Sequence, residues 1–322
     1  MAERLTWSMG KANRTKVDTS RRGKIAAQRA AARRAQQRRR ILIASGSILV
    51  VIAIVVAFIV IKANSKPASG NSPNGPTGAA LSTLVSSVTS VPASTLDKVA
   101  DGSGQVTVKP KAITGTTTPL TAGGKPEMLY IGAEFCPFCA AERRSMIVAL
   151  SRFGTFSGLA TVHSASVSGN GSSEPYPNTP TWTFANAKYT SQYLTFTSVE
   201  TQTNKPDSTT GGYTNLQTPT SAQEALLAKY DAPPYVSAAE KGSIPFIDFG
   251  NKYLIVGASY NPQVLAGLTW STIGADLSDP NSAVAKAIGG TANYITAAIC
   301  KLTGNQPASA CTATVQSLES QL

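Results

Sequence analysis

The chain has 322 residues, of which 42% are hydrophobic and 14% are charged, so it is long enough for one or two domains with a buried core. This composition excludes a wholly disordered chain. The formal net charge of +12 is concentrated in residues 1–40, where 13 Lys and Arg accompany two acids, whereas residues 41–322 carry a net charge of +1. A basic tail can neutralise phosphates, but we interpret this one as a membrane-topology signal and expect no nucleic-acid partner.

Residues 41–61 predict a transmembrane helix. They contain no charged side chain and, at about 1.5 Å per residue, span the roughly 30 Å hydrocarbon core of a lipid bilayer. The apolar region of a cleaved signal peptide is shorter, about 7–15 residues, so we expect an uncleaved single-pass anchor in the cell membrane. The preceding basic residues place residues 1–40 in the cytoplasm as a basic tail and residues 62–322 outside it. All four cysteines then lie where disulfides persist.

The rest of the chain divides into a linker and a domain. Residues 62–80 are rich in Pro, Gly, Ser and Asn, which is typical of a flexible linker. Residues 81–322 form the predicted extracytoplasmic domain. After two short helices, the sequence predicts a strand over residues 105–109, a buried central strand over residues 128–133 and a further strand over residues 159–167.

Two cysteines separated by two residues follow the predicted central strand. They belong to the sequence Cys136-Pro137-Phe138-Cys139, and helix-forming residues continue to about Phe153. Unpaired N–H groups and partial positive charge at a helix N-terminus stabilise a thiolate. Such a pair supports thiol–disulfide exchange, with Cys136 as the more exposed nucleophile and Cys139 as the resolving cysteine.

Two other interpretations of this pair stay open. Cysteines at this spacing form half of a zinc site, but the chain has one histidine, His163, and no second paired-cysteine motif. A permanently oxidised structural disulfide is the stronger alternative. We expect no metal and no cofactor, and we interpret His163 as a hydrogen-bonded structural residue.

Residues 168–240 predict a β-rich insertion, because Gly, Ser, Thr, Asn and Pro alternate there with aromatic residues. Within it we predict strands over residues 181–184 and 192–199 and a helix over residues 222–230. Ser221, with Glu224 three residues later, is typical of a capping box at the start of that helix.

A hairpin and several helices end the domain. Residues 243–256 predict a hairpin, with strands over residues 246–249 and 252–256 and Gly250-Asn251 as a two-residue turn. Helical segments are predicted from Asn261 to Trp270, over residues 284–302 with a local break at Gly289-Gly290, and over residues 311–318.

The remaining cysteines, Cys300 and Cys311, bracket a turn marked by Gly304 and Pro307. Four cysteines allow three pairings, and local pairing is the simplest. A Cys300–Cys311 disulfide would close this helical hairpin and stabilise the fold by about 2–3 kcal/mol. The alternative is a second redox pair that relays electrons to Cys136 and Cys139.

The central strand, the Cys-Pro-Phe-Cys sequence, the helix and the downstream Ser243-Ile244-Pro245 before a hairpin resemble the thioredoxin superfamily. The resemblance implies an α/β, thioredoxin-like fold, here with a β-rich insertion and C-terminal helical additions and preceded by one transmembrane helix. It also implies that Pro245 is a cis-proline that faces the dithiol and that the backbone beside it, at Ile244, pairs with a bound peptide. Pro137 and Phe138 complete the expected substrate-binding residues.

The chain departs from that family in several places. Phe135 stands where thioredoxin carries Trp, and about a hundred residues separate Cys139 from Pro245, which is more than a bare thioredoxin needs. An acid often assists the resolving cysteine. Glu134 and Glu142 are candidates, although a Glu beside such a motif is more often solvated.

More closely, the stretch over residues 129–159 and the order of anchor and linker are similar to a family of membrane-anchored, thioredoxin-like prokaryotic proteins without an assigned function. The resemblance implies a thiol–disulfide oxidoreductase that acts on extracytoplasmic protein thiols and disulfides, with a membrane redox partner as a further candidate. The direction of exchange stays open. The alternatives are a redox-inert binding module with the same fold and a metallochaperone at the cell envelope.

Overall fold

The computed structural model describes residues 75–115 and 117–322. The basic tail, the predicted transmembrane helix and all but the last residues of the predicted linker lie outside the described residues. The described residues belong to one compact unit.

The protein is a mixed α/β protein. Twelve strands lie in the described part of the chain: β1 (Lys111–Ala112), β2 (Thr121–Ala122), β3 (Lys125–Gly132), β4 (Gly154–Ser157), β5 (Ala160–His163), β6 (Pro180–Thr183), β7 (Lys188–Ser191), β8 (Thr195–Glu200), β9 (Gln202–Pro206), β10 (Tyr213–Asn215), β11 (Phe246–Phe249) and β12 (Tyr253–Val256). Seven α-helices accompany these strands in the same residues: α1 (Gly78–Thr89), α2 (Ala93–Val99), α3 (Pro137–Leu150), α4 (Ser221–Tyr230), α5 (Trp270–Asp276), α6 (Ala283–Thr303) and α7 (Ala313–Glu319).

A mixed sheet with neighbouring strands in the order β1, β12, β11, β3 and β8 forms the centre of the fold. Strand β3 runs parallel to β8, with Met128 opposite Phe196, and antiparallel to β11, with Met128 opposite Phe249. Strand β2 pairs with the first residues of β3. The hairpin of β11 and β12 is confirmed, but its loop has three residues because Phe249 pairs with Tyr253.

Both faces of this sheet are covered. On β3, Met128 and Tyr130 join the larger apolar core, which includes residues of α3 and α6. The alternate residues Leu129 and Ile131 join a second core, where Tyr230 of α4 packs. Successive side chains of a strand point to opposite faces, so a strand buried on both sides is a continuous apolar run. The predicted buried central strand is thus confirmed.

Helix α3, which follows the central strand, is itself an internal element. Thirteen of its fourteen residues are buried, including two arginines and a glutamate. It packs against α6 and β6. A helix that is buried all round holds its N-terminus in a fixed position relative to the sheet, and the cysteines lie at that end.

Among residues 75–115 and 117–322, no single helix has both the length and the apolar composition needed to cross a membrane. The consecutive helices α1 and α2, bent by 56° at the break between them, meet that test only as a pair.

The polar region in the middle of the chain is rich in β-structure, but its boundaries differ from the prediction. Strands β4 and β7, β5 and β6, and β9 and β10 form separate antiparallel pairs. Strand β8 lies inside the predicted insertion of residues 168–240, yet it belongs to the central sheet. The strand predicted over residues 159–167 is the shorter β5, which pairs with β6 and does not join the central sheet. Alternation of apolar residues predicts a strand but does not identify its partner.

Several other boundaries are corrected. The predicted strand over residues 105–109 is absent among the described residues, because the backbone there forms irregular bonds to Ser259. The capping box of α4 is formed by Thr220 and Gln223, one residue before the predicted pair. Helix α1 begins at Gly78, and the Pro76 carbonyl accepts a hydrogen bond from Thr161, so the end of the predicted linker belongs to the fold.

The helices after β12 also differ from their predicted forms. The segment from Asn261 forms a short 3₁₀ turn, Pro262–Leu265, and α5 starts separately at Trp270. Helix α6 runs unbroken through Gly289-Gly290, so the predicted break there is wrong. A Cβ on Gly290 would lie 2.6 Å from the Cα of Gly102, so this glycine allows close contact between two backbones.

We expect Gly290→Ala to lower the free energy of unfolding by about 1–3 kcal/mol, because the added methyl group meets backbone that cannot move aside. Gly289→Ala is the matched control: its Cβ would lie 3.3 Å from the side chains of Leu96 and Val99, which can shift. The gain in helix propensity, about 1 kcal/mol, keeps the control near or above the wild-type stability. Denaturant unfolding of the full-length protein measures both, and equal losses in the two variants would contradict this account.

Candidate functional site

The two cysteines lie where the central strand leads into the buried helix. Cys136 is the N-cap of α3, Pro137 is its first residue, and the backbone N–H of Cys139 donates a hydrogen bond of 3.3 Å to the Cys136 sulfur. A proline at this position sacrifices no needed N–H, and the sulfur occupies the place of a capping oxygen. Both thiols are free, so the geometry is that of the reduced dithiol.

Cys136 is 4% exposed and Cys139 is fully buried, so the predicted order of exposure holds but neither sulfur lies openly at the surface. Burial acts to raise the pKa of the Cys136 thiol, but hydrogen bonds from Cys139 and the charge of Arg143 outweigh it, and the pKa is lowered. Burial and the interactions with Cys136 raise the pKa of the Cys139 thiol well above its usual value. The two thiols therefore differ, and Cys136 is the one that loses its proton first.

The predicted substrate-binding backbone lies next to Cys136. The Ile244–Pro245 peptide bond is cis, and the Ile244 carbonyl oxygen lies 3.7 Å from the Cys136 sulfur. The Pro245 carbonyl accepts a hydrogen bond of 2.8 Å from Gly257, just after β12, which fixes this segment to the end of the hairpin. The structure thus brings together residues that are 108 positions apart in the sequence.

A fully buried ion pair lies beside the dithiol, and the sequence analysis missed it. The Arg143 guanidinium donates to both carboxylate oxygens of Glu200, at 2.8 and 2.7 Å, and also to the Ala133 carbonyl between β3 and α3. Both side chains have no solvent exposure. The available signal was an arginine followed by the apolar residues of the same helix, since a buried charge needs a partner. Nothing in the sequence of β8, Thr-Phe-Thr-Ser-Val-Glu, identifies Glu200 as that partner.

The polar middle region supplies aromatic rings around the motif. Phe135 stacks on Tyr213 with ring centroids 4.1 Å apart, and the Tyr213 hydroxyl donates to Glu174. Phe138 meets Tyr176 edge to face at 6.0 Å and remains 38% exposed. Loops of this region therefore form part of the surface that a partner of Cys136 would contact.

The two acids considered near the motif are both buried, so their interpretation as solvated residues is wrong. Glu134 is 8% exposed and Glu142 is 0% exposed. Burial raises the pKa of the Glu142 carboxyl to about 7, although the backbone N–H and hydroxyl of Ser259 donate to its oxygens. Burial also raises the pKa of Glu134. The hydrogen bonds explain the placement of Glu142, which ties α3 to the loop after β12.

Cys300, Cys311 and His163 lie in contacts within the fold. Cys300, in α6, forms a disulfide with Cys311. The ring of His163 packs on Trp270 with centroids 4.3 Å apart, and burial lowers the pKa of this imidazole. Within residues 75–115 and 117–322, no group of three or more His, Cys, Asp or Glu side chains is arranged to hold a metal ion.

These features define an α/β protein with two free cysteines at the N-terminus of a buried helix. The thiol pKa of one is lowered and that of the other is raised. A family model described as a domain of unknown function (DUF929) matches residues 112–301, and the chain belongs to this family. The match includes Cys136, Cys139 and Pro245 and ends one residue after Cys300. No curated protein and no solved structure matches the chain.

The buried Glu142 carboxyl predicts a pH-dependent stability. Because its pKa is about 7 in the folded protein against an ordinary value of 4.5, the folded state binds this proton more tightly than the unfolded chain does. Its contribution to stability is therefore complete below about pH 4.5 and is lost as the pH rises through about 7.

We expect the free energy of unfolding of the wild type, minus that of the Glu142→Gln variant, to fall by up to about 3 kcal/mol over this range. Asp248, another buried acid whose pKa is raised to about 7, is present in both proteins and cancels in the difference. Urea unfolding at a series of pH values measures the effect. A difference that does not change with pH would show that Glu142 does not titrate in this way.

Proposed function

We propose that this protein is a membrane-anchored, extracytoplasmic thiol–disulfide oxidoreductase with a thioredoxin-like fold. The Cys136 thiolate attacks a substrate disulfide, one substrate sulfur leaves as a thiolate, and a mixed disulfide forms. Cys139 then gives its proton to the released thiolate and attacks the Cys136 sulfur, so that the second substrate sulfur leaves with the bonding electron pair. The reverse sequence transfers the disulfide of the protein to a substrate dithiol.

The single observation that carries this proposal is the asymmetry of the dithiol. The Cys136 sulfur accepts the Cys139 N–H at a helix N-terminus, where the pKa of the Cys136 thiol is lowered while that of the deeper thiol is raised. The attacking cysteine needs to be a thiolate near neutral pH, whereas the resolving cysteine reacts only after the mixed disulfide has formed. A purely structural disulfide does not need this difference.

The order of the elements supports the thioredoxin-like fold. A strand, the dithiol helix α3, the parallel strand β8, helix α4 and the antiparallel hairpin of β11 and β12 follow one another, with β3 at the centre of the sheet. A Cys-X-X-Cys sequence within a β-α-β unit is typical of thioredoxin-like redox proteins. The segments on either side of β8 are the additions to this plan.

The neighbourhood of Cys136 supports proteins as substrates. The backbone at Ile244 and Pro245 lies beside the Cys136 sulfur, and we propose that it pairs with an extended segment of the substrate. Phe138, exposed one residue before Cys139, and Pro137 would contact the side chains next to the substrate sulfur. The loop that carries Tyr176 and the start of β10, at Tyr213, would then limit which substrates approach.

The location outside the cytoplasm is also part of the proposal. It rests on residues 41–61 as an anchor, on the basic residues before them and on the Cys300–Cys311 disulfide, since such bonds persist in oxidising compartments. An exchange protein needs a second thiol–disulfide partner to restore its starting state. A redox protein of the same membrane would meet that need.

We expect a Cys139→Ser variant to accumulate a mixed disulfide with a peptide that contains a disulfide, because the second attack is lost. A Cys136→Ser variant should form none, since the remaining thiol is fully buried and has a raised pKa. The full-length proteins, kept in mild detergent, are incubated with the peptide, alkylated and analysed by non-reducing electrophoresis and mass spectrometry.

The double variant Cys300→Ser, Cys311→Ser is the matched control. It should exchange as the wild type does while losing about 2–3 kcal/mol of stability, because the disulfide closes a short loop. No mixed disulfide in any variant would contradict the proposal and favour a redox-inert binding module. Stoichiometric Cu(I) or zinc on the reduced wild-type protein, lost with Cys136→Ser, would favour a metallochaperone.

A further inference from the structure

The hydroxyl of Tyr130 is a polar group that the interactions described above do not use. Tyr130 has no solvent exposure, and its hydroxyl has no hydrogen-bond partner among the described residues. Its ring is held by an edge-to-face contact with Phe184 at 5.3 Å. Leaving a buried donor without a partner costs about 1–3 kcal/mol, so a phenylalanine would suit this position better if only packing mattered.

This hydroxyl and the sulfur of Cys139 both border the space at Gly132. A Cβ built on Gly132, the last residue of β3, would lie 2.2 Å from the Tyr130 hydroxyl oxygen and 3.1 Å from the Cys139 sulfur. The two atoms therefore lie within about 5 Å of one another, with no hydrogen bond between them in the reduced protein. Any other residue at position 132 would fill the space in which they approach one another.

A second free donor belongs to the same cluster. The Arg143 guanidinium lies 5.8 Å from the Tyr130 ring centroid, and its Nη1 has no hydrogen-bond partner among the described residues, although Nε and Nη2 are bound to Glu200. The charge of Arg143 acts to lower the pKa of both cysteines. The Cys139 sulfur thus lies near two hydrogen-bond donors, the neutral Tyr130 hydroxyl and the cationic Arg143 guanidinium. In the reduced protein, neither the hydroxyl nor Nη1 has a partner among the described residues.

We infer that the Tyr130 hydroxyl, assisted by Arg143, is a hydrogen-bond donor to the Cys139 thiolate when the protein passes its disulfide to a substrate. This inference rests on the proposed function. In that step a substrate thiolate attacks the Cys136 sulfur, the Cys136–Cys139 bond breaks, and its electron pair goes to Cys139. The Tyr130 O–H then donates to the new negative charge, and Cys139 later takes up the proton of the second substrate thiol as that thiol displaces Cys136.

The consequence is faster disulfide transfer. A thiolate that leaves more easily accelerates the attack on its disulfide. In the resting reduced protein Cys139 is a thiol with a raised pKa, and neither the Tyr130 hydroxyl nor Arg143 Nη1 has a partner among the described residues. The donors therefore act on the Cys139 sulfur only while it carries the negative charge, and they lower the barrier to its departure from Cys136.

The test compares Tyr130→Phe with Tyr260→Phe in the full-length protein. Tyr260 is also fully buried against α3, but its hydroxyl donates to the Ala141 carbonyl at 2.8 Å, so it is the matched loss of a buried hydroxyl. Each protein is oxidised and incubated with reduced glutathione, alkylated at successive times and analysed by mass spectrometry. We expect Tyr130→Phe to slow the opening of the Cys136–Cys139 disulfide about tenfold, because the departing Cys139 thiolate loses a hydrogen bond.

Tyr260→Phe should leave this rate unchanged even if it lowers stability. An unchanged rate in Tyr130→Phe, or an equal loss in both variants, would overturn the inference. The reaction with glutathione needs no protein substrate. A tenfold loss of rate in Tyr130→Phe, when the wild type forms no mixed disulfide with peptides, would therefore contradict the proposed function while supporting the role of Tyr130.

Discussion

The buried ion pair of Arg143 and Glu200 is the constraint on which the rest of the site depends. It joins the dithiol helix to the parallel strand β8, and Arg143 also binds the Ala133 carbonyl that leads into the motif. Glu200 in turn accepts the backbone N–H of Phe184, at the end of β6. Removing one member of such a pair leaves an unpaired buried charge and costs about 3–5 kcal/mol. The two strands and the helix around the cysteines are therefore fixed as one unit.

The same pair determines the electrostatics of the dithiol. A cation inside a dry core acts on nearby sulfurs far more strongly than it would in water, because little solvent screens it. Glu200 neutralises most of this charge and also orients the guanidinium. Its Nε and Nη2 donate to the carboxylate, and Nη1 has no partner among the described residues. The groups that lower the pKa of Cys136 thus lie in the helix, whereas the polar middle region packs aromatic rings around the motif, where Cys136 itself is only 4% exposed.

Local patterns predicted most of the elements but not their partners. The buried strand, the dithiol helix and the hairpin were predictable because apolar runs, a proline at a helix start and a Gly-Asn turn act over a few residues. The partner of the central strand was not, because β8 resembles the other short strands of its region. Likewise, nothing local connects Arg143 with Glu200, 57 residues away, or Gly290 with the backbone of Gly102. Such contacts depend on the tertiary fold.

The role that we infer for Tyr130 could not be predicted from the sequence either. In the sequence it is one more apolar member of a central strand, and the alternation of β3 places it in the larger core as expected. Only the fold shows that its hydroxyl and the Cys139 sulfur both approach Gly132, with the Arg143 guanidinium beside the Tyr130 ring. A free donor in a tightly packed core costs stability in the reduced protein, and under our inference that cost is offset only when the neighbouring sulfur carries a negative charge. The inferred role of Tyr130 is therefore in the rate at which the disulfide opens, which the motif itself, Cys-Pro-Phe-Cys, does not indicate.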